Sequence, residues 1–316
     1  MDHSVTWISA PELECLLTPR WARAAVSRAL EAGRGQEAHT PLRQLVPMPR
    51  GTLFVMPGSW AGSLAVKLLN DRPGQADTLP GVVVLFDDET GQPRAILDGP
   101  VLTALRTAAL AGWATERLAR ARRRVAVVGA GFQAWYQVEA LLDLGGVEAL
   151  ALWNRTGGRA LALAERVRAW HPDLAVSVAE SVSQAVRAAD VVTVVTRSPS
   201  PLLHRSMLAA HAHVNAMGAY RPADRECASD VMQAATVYAD TREAVLAESG
   251  DVRIPITEGR LAPEAVLPLA SAPPRPPAGL TVMKSVGAAL FDVAAAQCAW
   301  ERRQEDRSRT APGPRH

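Results

Sequence analysis

The chain contains 316 residues, 48% of them hydrophobic, and its formal net charge is +2. This length accommodates two domains of ordinary size, and the apolar content is enough for a sizeable core. The basic residues are scattered, and the densest run, at 120–124, resembles a solvated helix end before a strand. The charge pattern therefore argues against a nucleic-acid surface and against an acidic interaction tail.

Cysteine usage and hydropathy indicate a reducing, aqueous compartment, which we expect to be the cytoplasm. Cys15, Cys227 and Cys298 lie far apart without CxxC spacing, which argues against a disulfide framework or a zinc knuckle. The first residues lack a basic segment followed by an apolar one, and no window approaches about eighteen uncharged apolar residues. We therefore expect neither a signal peptide nor a membrane span, and no membrane partner.

The N-terminal third predicts one helix followed by a mostly antiparallel sheet. Apolar residues recur at helical spacing over Pro11–Gly33, where Gly33 is a plausible stop. Short alternating runs follow, and the turn residues of DDETGQ join the last two as a hairpin. The predicted strands are Leu42–Met48, Thr52–Met56, Leu64–Leu69, Val82–Phe86 and Arg94–Leu97.

After a helix over Leu102–Ala121 the pattern changes to α/β. Val125–Val128 is short and fully apolar, as expected of a parallel strand buried on both faces. Strands and helices then alternate at the spacing of a doubly wound parallel sheet. The predicted strands are Ala149–Trp153, Ala175–Val178, Asp190–Thr196, Ala212–Met217 and Thr236–Asp240, and the helices are Ala134–Leu144, Gly158–Trp170 and Ser183–Ala188. A Pro-rich connector, Ser271–Gly279, precedes a helix over Ser285–Trp300 and a polar end.

The stretch VVGAGFQA carries a dinucleotide-binding pattern. Gly129, Gly131 and Ala134 fit GxGxxG/A directly after a predicted strand and at the start of a helix, which is the context that the motif requires. The first glycine makes the turn, the second admits the pyrophosphate, and the helix N-terminus adds partial positive charge. We therefore predict a Rossmann domain that binds a nicotinamide dinucleotide.

The end of the second strand of this unit, LALWNRT, bears on which dinucleotide is bound. An acidic residue there would accept a hydrogen bond from the ribose 2′-hydroxyl, but the chain has Asn154 and Arg155. An arginine can form a two-pronged pair with a 2′-phosphate. The sequence therefore favours NADP(H) and leaves NAD(H) possible.

Lysine is scarce in this chain, since only Lys67 and Lys284 occur among 34 basic residues. Where arginine has replaced lysine almost everywhere, a surviving lysine can mark a need for a compact or titratable amine. Lys67 is the stronger candidate for function, and chance survival is the alternative.

The stretches LTALRTAA, VVGAGFQA, LWNRT, VNAMGAYRP and ESGD resemble the ornithine cyclodeaminase/mu-crystallin family, from about Pro41 to Ala296. That family includes ornithine and lysine cyclodeaminases, archaeal-type alanine dehydrogenases, cyclic ketimine reductases, and mu-crystallin, which also binds thyroid hormone. The resemblance implies a Rossmann domain (113–287) inserted in an α+β substrate and dimerisation domain (1–112), which the C-terminal helix (288–302) completes. It implies a homodimer, and we expect a disordered tail at 303–316.

The resemblance also implies site residues. Arg43, Lys67 and Arg106 match the cations that hold a substrate carboxylate and act in catalysis, and Arg106 also matches a cofactor contact. No metal is implied. The remaining implied cofactor contacts are Gly129, Gly131, Phe132, Gln133, Asn154, Arg155, Thr156, Thr196, Met217 and Ser285.

One departure from the family distinguishes its branches. The cyclodeaminases have a catalytic Asp where this chain has Tyr220, and a neutral phenol cannot take a proton from an ammonium substrate near neutral pH. Reduction of a preformed cyclic imine demands less of the enzyme, which needs only to position the substrate, supply charge and bind a reduced nicotinamide. We read Tyr220 as a wall of the substrate site, with Asp224 as the alternative displaced acid.

We therefore predict an NAD(P)H-dependent reductase of small cyclic 2-imino carboxylates, such as Δ1-pyrroline-2-carboxylate or its six-membered homologue. One alternative is a cyclodeaminase that releases ammonia from ornithine or lysine with bound NAD, and another is an NADPH-gated binding protein. Two other clusters carry weaker hypotheses. His211 and His213 could form a metal pair without an evident third ligand, and Asp87–Glu89 is better explained as a solvated turn.

Overall fold

A computed structural model describes residues 5–32, 38–72, 74 and 79–310. The chain divides into two compact units, one formed by Met1–Arg106 with Ala288–His316 and the other by Thr107–Gly287. Within the described residues, no helix has both the length and the apolar character needed to cross a membrane. The mixed α/β class predicted from the sequence is confirmed.

The first unit is built on a seven-stranded sheet. Its strands are β1 (Thr6–Ile8), β2 (Ala38–His39), β3 (Gln44–Met48), β4 (Gly51–Trp60), β5 (Ser63–Asp71), β6 (Gly81–Asp87) and β7 (Pro93–Asp98). The order is β1-β7-β6-β5-β4-β2, with β3 also paired to β4. Strands β4 to β7 form successive antiparallel pairs, as predicted, whereas β1 adds a parallel edge to β7 that the sequence analysis missed.

Burial alternates along β4 to β7, so the sheet has one covered face and one more open face. The covered face packs against the C-terminal helix (Ala289–Thr310). A Cβ on Gly58 would lie 3.0 Å from the Ala289 Cβ and 3.3 Å from a Val293 methyl group. The absence of a side chain at Gly58 therefore lets this helix approach the sheet closely.

Two predictions in this unit need correction. The single N-terminal helix is two helices, α1 (Ala10–Leu16) and α2 (Pro19–Ala32), because Pro19 lacks the backbone N–H that would continue the first helix. The predicted stop at Gly33 lies outside the described residues. Residues 303–310, expected to be a disordered tail, continue the C-terminal helix, and Arg303 pairs with Glu12 at 2.6 Å. The rest of that tail, 311–316, is not described.

The second unit begins within helix α3 (Gly99–Leu118) and is built on an eight-stranded parallel sheet. Its strands are β8 (Arg124–Val128), β9 (Ala149–Trp153), β10 (Ala175–Val178), β11 (Val191–Val194), β12 (His213–Ala216), β13 (Thr236–Ala239), β14 (Val266–Pro268) and β15 (Thr281–Lys284). The order is β10-β9-β8-β11-β12-β15-β13-β14. The winding reverses between β8 and β11, and open α/β sheets bind ligands at the carboxyl ends of such strands.

Helices connect these strands on the predicted pattern, with additions near the end. They are α4 (Phe132–Asp143), α5 (Gly157–Trp170), α6 (Val182–Val186), α7 (Ser229–Ala234), α8 (Arg242–Glu248) and α9 (Gly250–Thr257). Helices α7 to α9 and strands β14 and β15 were not predicted from the sequence. These elements are short, and β15 directly follows the Pro-rich connector, so local periodicity was too brief to reveal them.

Candidate active site

The Gly129 turn has the geometry of a dinucleotide cradle. Gly129 has a φ of +109°, and a Cβ there would lie 2.6 Å from the carbonyl oxygen of Val195, so another residue would be strained and crowded. Gly131 caps α4, and a Cβ there would meet nothing within 4 Å. The helix begins with Phe132 and Gln133, and the open space beside its N-terminus fits a pyrophosphate.

Asn154 holds the turn rather than simply replacing a ribose-binding acid. Its Oδ1 accepts the Ala130 N–H at 3.0 Å, and its Nδ2 donates to the Thr156 carbonyl at 3.0 Å. The side chain therefore ties the end of β9 to the glycine turn after β8. Arg155 and Thr156 follow it on the exposed surface, before α5.

Glu226, which the sequence analysis missed, connects two loops at the carboxyl ends of neighbouring strands. Its Oε1 accepts the Thr196 N–H at 2.7 Å and the Thr196 hydroxyl at 2.8 Å. Its Oε2 accepts the N–H groups of Gly218 and Ala219 at 2.8 and 3.1 Å. A buried carboxylate with four donors fixes both loops. The Thr196 hydroxyl is therefore engaged within the protein.

Lys284 completes this buried network. Its Nζ lies 2.8 Å from Asp251 Oδ2 and donates to the Ala219 carbonyl at 2.6 Å. Asp251, the last residue of ESGD, accepts the N–H groups of Glu226 and Cys227, each at 2.7 Å. The two carboxylates raise the pKa of Lys284 although burial opposes them. Lys284 is thus a permanent internal cation rather than a proton carrier.

Three further predicted residues lie along this edge. Ser285 is buried, and its hydroxyl donates to Asp240 Oδ2 at 2.6 Å, so it too is engaged within the protein. Met217 follows β12 and is buried. Tyr220 is partly buried and packs against the core of this unit, with the Arg221 guanidinium 5.6 Å from its ring centre.

The metal pair receives no support, whereas the solvated turn at Asp87–Glu89 is confirmed. His213 is buried, with Nδ1 2.9 Å from Thr281 Oγ1 and Nε2 3.0 Å from Asn215 Oδ1, while half of the His211 side chain is exposed. No cluster of three or more potential metal ligands occurs among the described residues. Asp87 organises its own turn by accepting the N–H groups of residues 89 and 90.

In the first unit, Lys67 and Arg106 converge on one acidic residue. Lys67 lies on β5, Arg106 lies on α3, and both side chains are at least 95% buried. Asp292, on the C-terminal helix, places Oδ2 2.7 Å from Lys67 Nζ and accepts the Arg106 Nε–H through Oδ1 at 2.9 Å. Asp292 was not among the predicted site residues, although an isolated acid in the apolar stretch ALFDVAAA was a usable signal.

The electrostatics of this cluster are unbalanced towards positive charge. Burial lowers the pKa of Lys67 from 10.5 to about 7, and Asp292 opposes that shift while Arg106 and Arg43 add to it. Arg43, the third predicted cation, precedes β3 and is partly buried. Two buried cations therefore share one carboxylate, Arg43 adds positive charge nearby, and a ligand carboxylate would restore the balance.

Comparison with known proteins identifies the family. The profile of the Ornithine cyclodeaminase/mu-crystallin family matches residues 21–307, so the chain belongs to that family. A ketimine reductase mu-crystallin from Mus musculus is 36% identical over 95% of this chain and 98% of its own. A Delta(1)-pyrroline-2-carboxylate reductase from Bacillus cereus is 32% identical over 94% of this chain and 96% of its own.

Solved structures agree with the fold. A Thermococcus litoralis Delta(1)-pyrroline-2-carboxylate reductase, determined with NADH and L-proline, superposes with a TM-score of 0.90 at 28% identity and covers 96% of this chain and 98% of its own. An archaeal alanine dehydrogenase dimer with bound NAD superposes with a TM-score of 0.88 at 25% identity and covers 96% and 97%.

Proposed function

We propose that this chain is an NAD(P)H-dependent reductase of small cyclic 2-imino carboxylates. The observation that carries the proposal is the buried cluster in which Lys67 and Arg106 share the Asp292 carboxylate, with Arg43 close enough to act electrostatically on Lys67. Such a cluster selects a small anion, and charge-assisted pairs would fix its orientation. The relatives named for Δ1-pyrroline-2-carboxylate and ketimine reduction support this substrate class.

The glycine turn, the α4 N-terminus and the Asn154 loop fit a nicotinamide dinucleotide. We assign pyrophosphate contacts to Gly131, Phe132 and Gln133, and the nicotinamide end to the carboxyl-edge loops with Thr196 and Met217. When bound in its reduced form, this group supplies the hydride that the imine carbon accepts. Ser285 contributes by holding Asp240 rather than through a free hydroxyl.

The protein's own contribution is to hold the substrate and to donate one proton to it. The C=N bond gains a hydride at carbon and a proton at nitrogen, which gives the cyclic amino acid. With Tyr220 in place of the cyclodeaminase acid, Lys67 is the titratable group of the cation cluster that can donate this proton, with water as the alternative. Its pKa of about 7 leaves the ammonium form populated at neutral pH.

The preferred cofactor is NADP(H). Arg155 is exposed beside the cofactor turn at the position where a 2′-phosphate would be recognised, and the neutral Asn154 amide does not repel phosphate. The NADH-bound and NAD-bound relatives keep NAD(H) as a second possible cofactor.

We also propose a homodimer formed through the open face of the first unit's sheet. Pro57, Val66, Val84 and Ile96 are cross-strand neighbours on this face, and all are only partly buried. A contiguous apolar sheet face of this kind is typical of a protein interface. The dimeric alanine dehydrogenase supports a second copy of the chain as its occupant.

The test is cofactor oxidation with Δ1-pyrroline-2-carboxylate and Δ1-piperideine-2-carboxylate, each with NADPH and with NADH, followed by loss of nicotinamide absorbance. We expect rapid oxidation that prefers NADPH. If neither imine is reduced, ammonia release from ornithine or lysine without added reductant would point to a cyclodeaminase. Tight ligand binding without turnover would instead point to a binding protein.

A further inference from the structure

Asp292 is the buried acid that receives two cations from distant parts of the chain. Lys67 comes from the middle of the first sheet and Arg106 from α3, while Asp292 comes from the C-terminal helix. Side-chain exposure is 1% for Lys67 and Asp292 and 5% for Arg106, so water does little to stabilise these charges. Without Asp292, two desolvated cations would face each other without compensation.

Apolar contacts attach the C-terminal helix to the sheet in addition to this ion cluster. The helix already packs on the sheet through close apolar contacts, with Ala289 and Val293 against Gly58. Two desolvated cations on one carboxylate leave a net positive charge that a ligand anion would balance. The arrangement is better explained by the demands of the bound ligand.

We propose that Asp292 is a positioning residue that holds the Lys67 ammonium and the Arg106 guanidinium in place for the substrate, which makes the C-terminal helix part of the active site. Asp292 engages the Nε of Arg106, and an end-on pair with a ligand carboxylate uses the two Nη atoms. The identity of the substrate rests on the proposed function, whereas the hold on the two cations does not.

The charged groups facing Lys67 define what each substitution removes. Asp292 from the C-terminal helix favours the ammonium, while Arg106 from α3 and Arg43 from the segment before β3 disfavour it. The residues paired with Lys67 in the sheet are uncharged, namely Met56 on β4 and Val83 on β6. Loss of the Asp292 charge therefore leaves only groups that favour the neutral amine.

Lysine scarcity makes a direct measurement possible in the full chain. Labelling lysine with carbon-13 at Cε gives two side-chain NMR signals, from Lys67 and Lys284, and Lys67→Met assigns them. In Asp292→Asn we expect the titration midpoint of Lys67 to fall by about one pH unit or more, with the Lys284 signal unchanged. Asp306→Asn, an exposed change on the same helix, is the matched control and should move neither signal.

Asp292→Glu separates position from charge and guards against misfolding of the Asn variant. The longer acid keeps the charge, so the Lys67 midpoint should stay within about half a pH unit, while kcat/KM for the imine falls about tenfold or more because both cations move. Wild-type kinetics in this variant would contradict the positioning role.

The two proposals can fail independently. An unchanged Lys67 midpoint in Asp292→Asn overturns the positioning role whatever the turnover. A lowered midpoint in a chain that reduces neither imine supports the positioning role and contradicts the proposed substrate class.

Discussion

The two lysines show how the same side chain acquires opposite properties from its neighbours. Both are almost fully buried, and each lies within 2.8 Å of an aspartate oxygen. Lys67 shares the Asp292 carboxylate with Arg106, and burial lowers its pKa to about 7, whereas Lys284 faces two carboxylates and its pKa rises. Lys67 can therefore exchange a proton near neutral pH, while Lys284 remains a fixed charge.

Lys67→Met should reduce kcat/KM for the imine by about a hundredfold or more, since it removes a charge-assisted contact and the proton donor. In the wild type we expect kcat/KM to decline above about pH 7 as Lys67 loses its proton. Arg123→Met, which removes an exposed cation paired with Glu148, should leave the rate unchanged. A near wild-type rate for Lys67→Met would contradict its assigned role.

Arg155→Ala should raise the KM for NADPH by about tenfold to a hundredfold and leave the KM for NADH unchanged. Only NADPH carries the 2′-phosphate that Arg155 would bind. Steady-state kinetics with both cofactors measures the ratio of the two KM values. Arg168→Ala, an exposed arginine on the following helix α5 that donates to the Val176 carbonyl, is the control. Equal effects on the two cofactors would argue against phosphate recognition by Arg155.

The buried His213 side chain makes the stability of the second unit depend on pH. Burial lowers its pKa from 6.5 to about 4. Because the folded-state pKa lies below the unfolded value, its full contribution to stability is present above pH 6.5 and is lost as pH falls towards 4. His213→Gln should therefore reduce the fall in Tm between pH 7.5 and pH 5, whereas the exposed His211→Gln should not.

At the scale of elements, the β4–β5 hairpin contains a local conformational compromise. Ala61 and Gly62 both have positive φ, at +50° and +73°, which is the pattern of a type I′ turn. An alanine in this left-handed region is strained by its Cβ, whereas asparagine tolerates it. The strands on either side pair in register from Trp60 and Ser63 onward, so the strain is confined to the turn.

Ala61→Asn should stabilise the protein by about 0.5–1 kcal/mol, and Ala61→Val should destabilise it, because a β-branched residue fits positive φ poorly. The position is exposed, so neither change disturbs the core. Thermal unfolding of the two variants beside the wild type checks the sign. Equal Tm values for the pair would show that the turn conformation carries no strain.

At the scale of the whole molecule, the proposed dimer requires the open sheet face to remain apolar. Val84→Asp introduces a charge at the centre of that face, next to Val66 and Ile96 in the paired strands. We expect the dimer to dissociate into monomers, as measured by light scattering after size-exclusion chromatography. Leu161→Asp, an exposed apolar position on α5, should leave the mass unchanged. A Val84→Asp variant that remains dimeric would show that the dimer interface lies elsewhere on the protein.

Local pattern was sufficient for much of the fold because it reports burial directly. The alternation in β4 to β7 predicted the antiparallel sheet, and the apolar run Val125–Val128 with the glycines after it predicted the parallel unit. Where the signal was short, prediction failed. Strands β1, β14 and β15 have three or four residues each, and their pairing depends on partners distant in sequence.

Residue types and spacings within short segments were enough to identify the family and the α/β class. The same local patterns predict a dinucleotide turn and a functional Lys67, and both stay predictions. Only the tertiary structure revealed Asp292 beside Lys67 and Arg106, and Glu226 between Thr196 and Gly218. Asp292 is separated from Arg106 by 186 positions, and no local pattern encodes such a contact. Burial and pairing of charge are set by what the fold brings together, and they determine which side chains carry a proton and which only hold others in place.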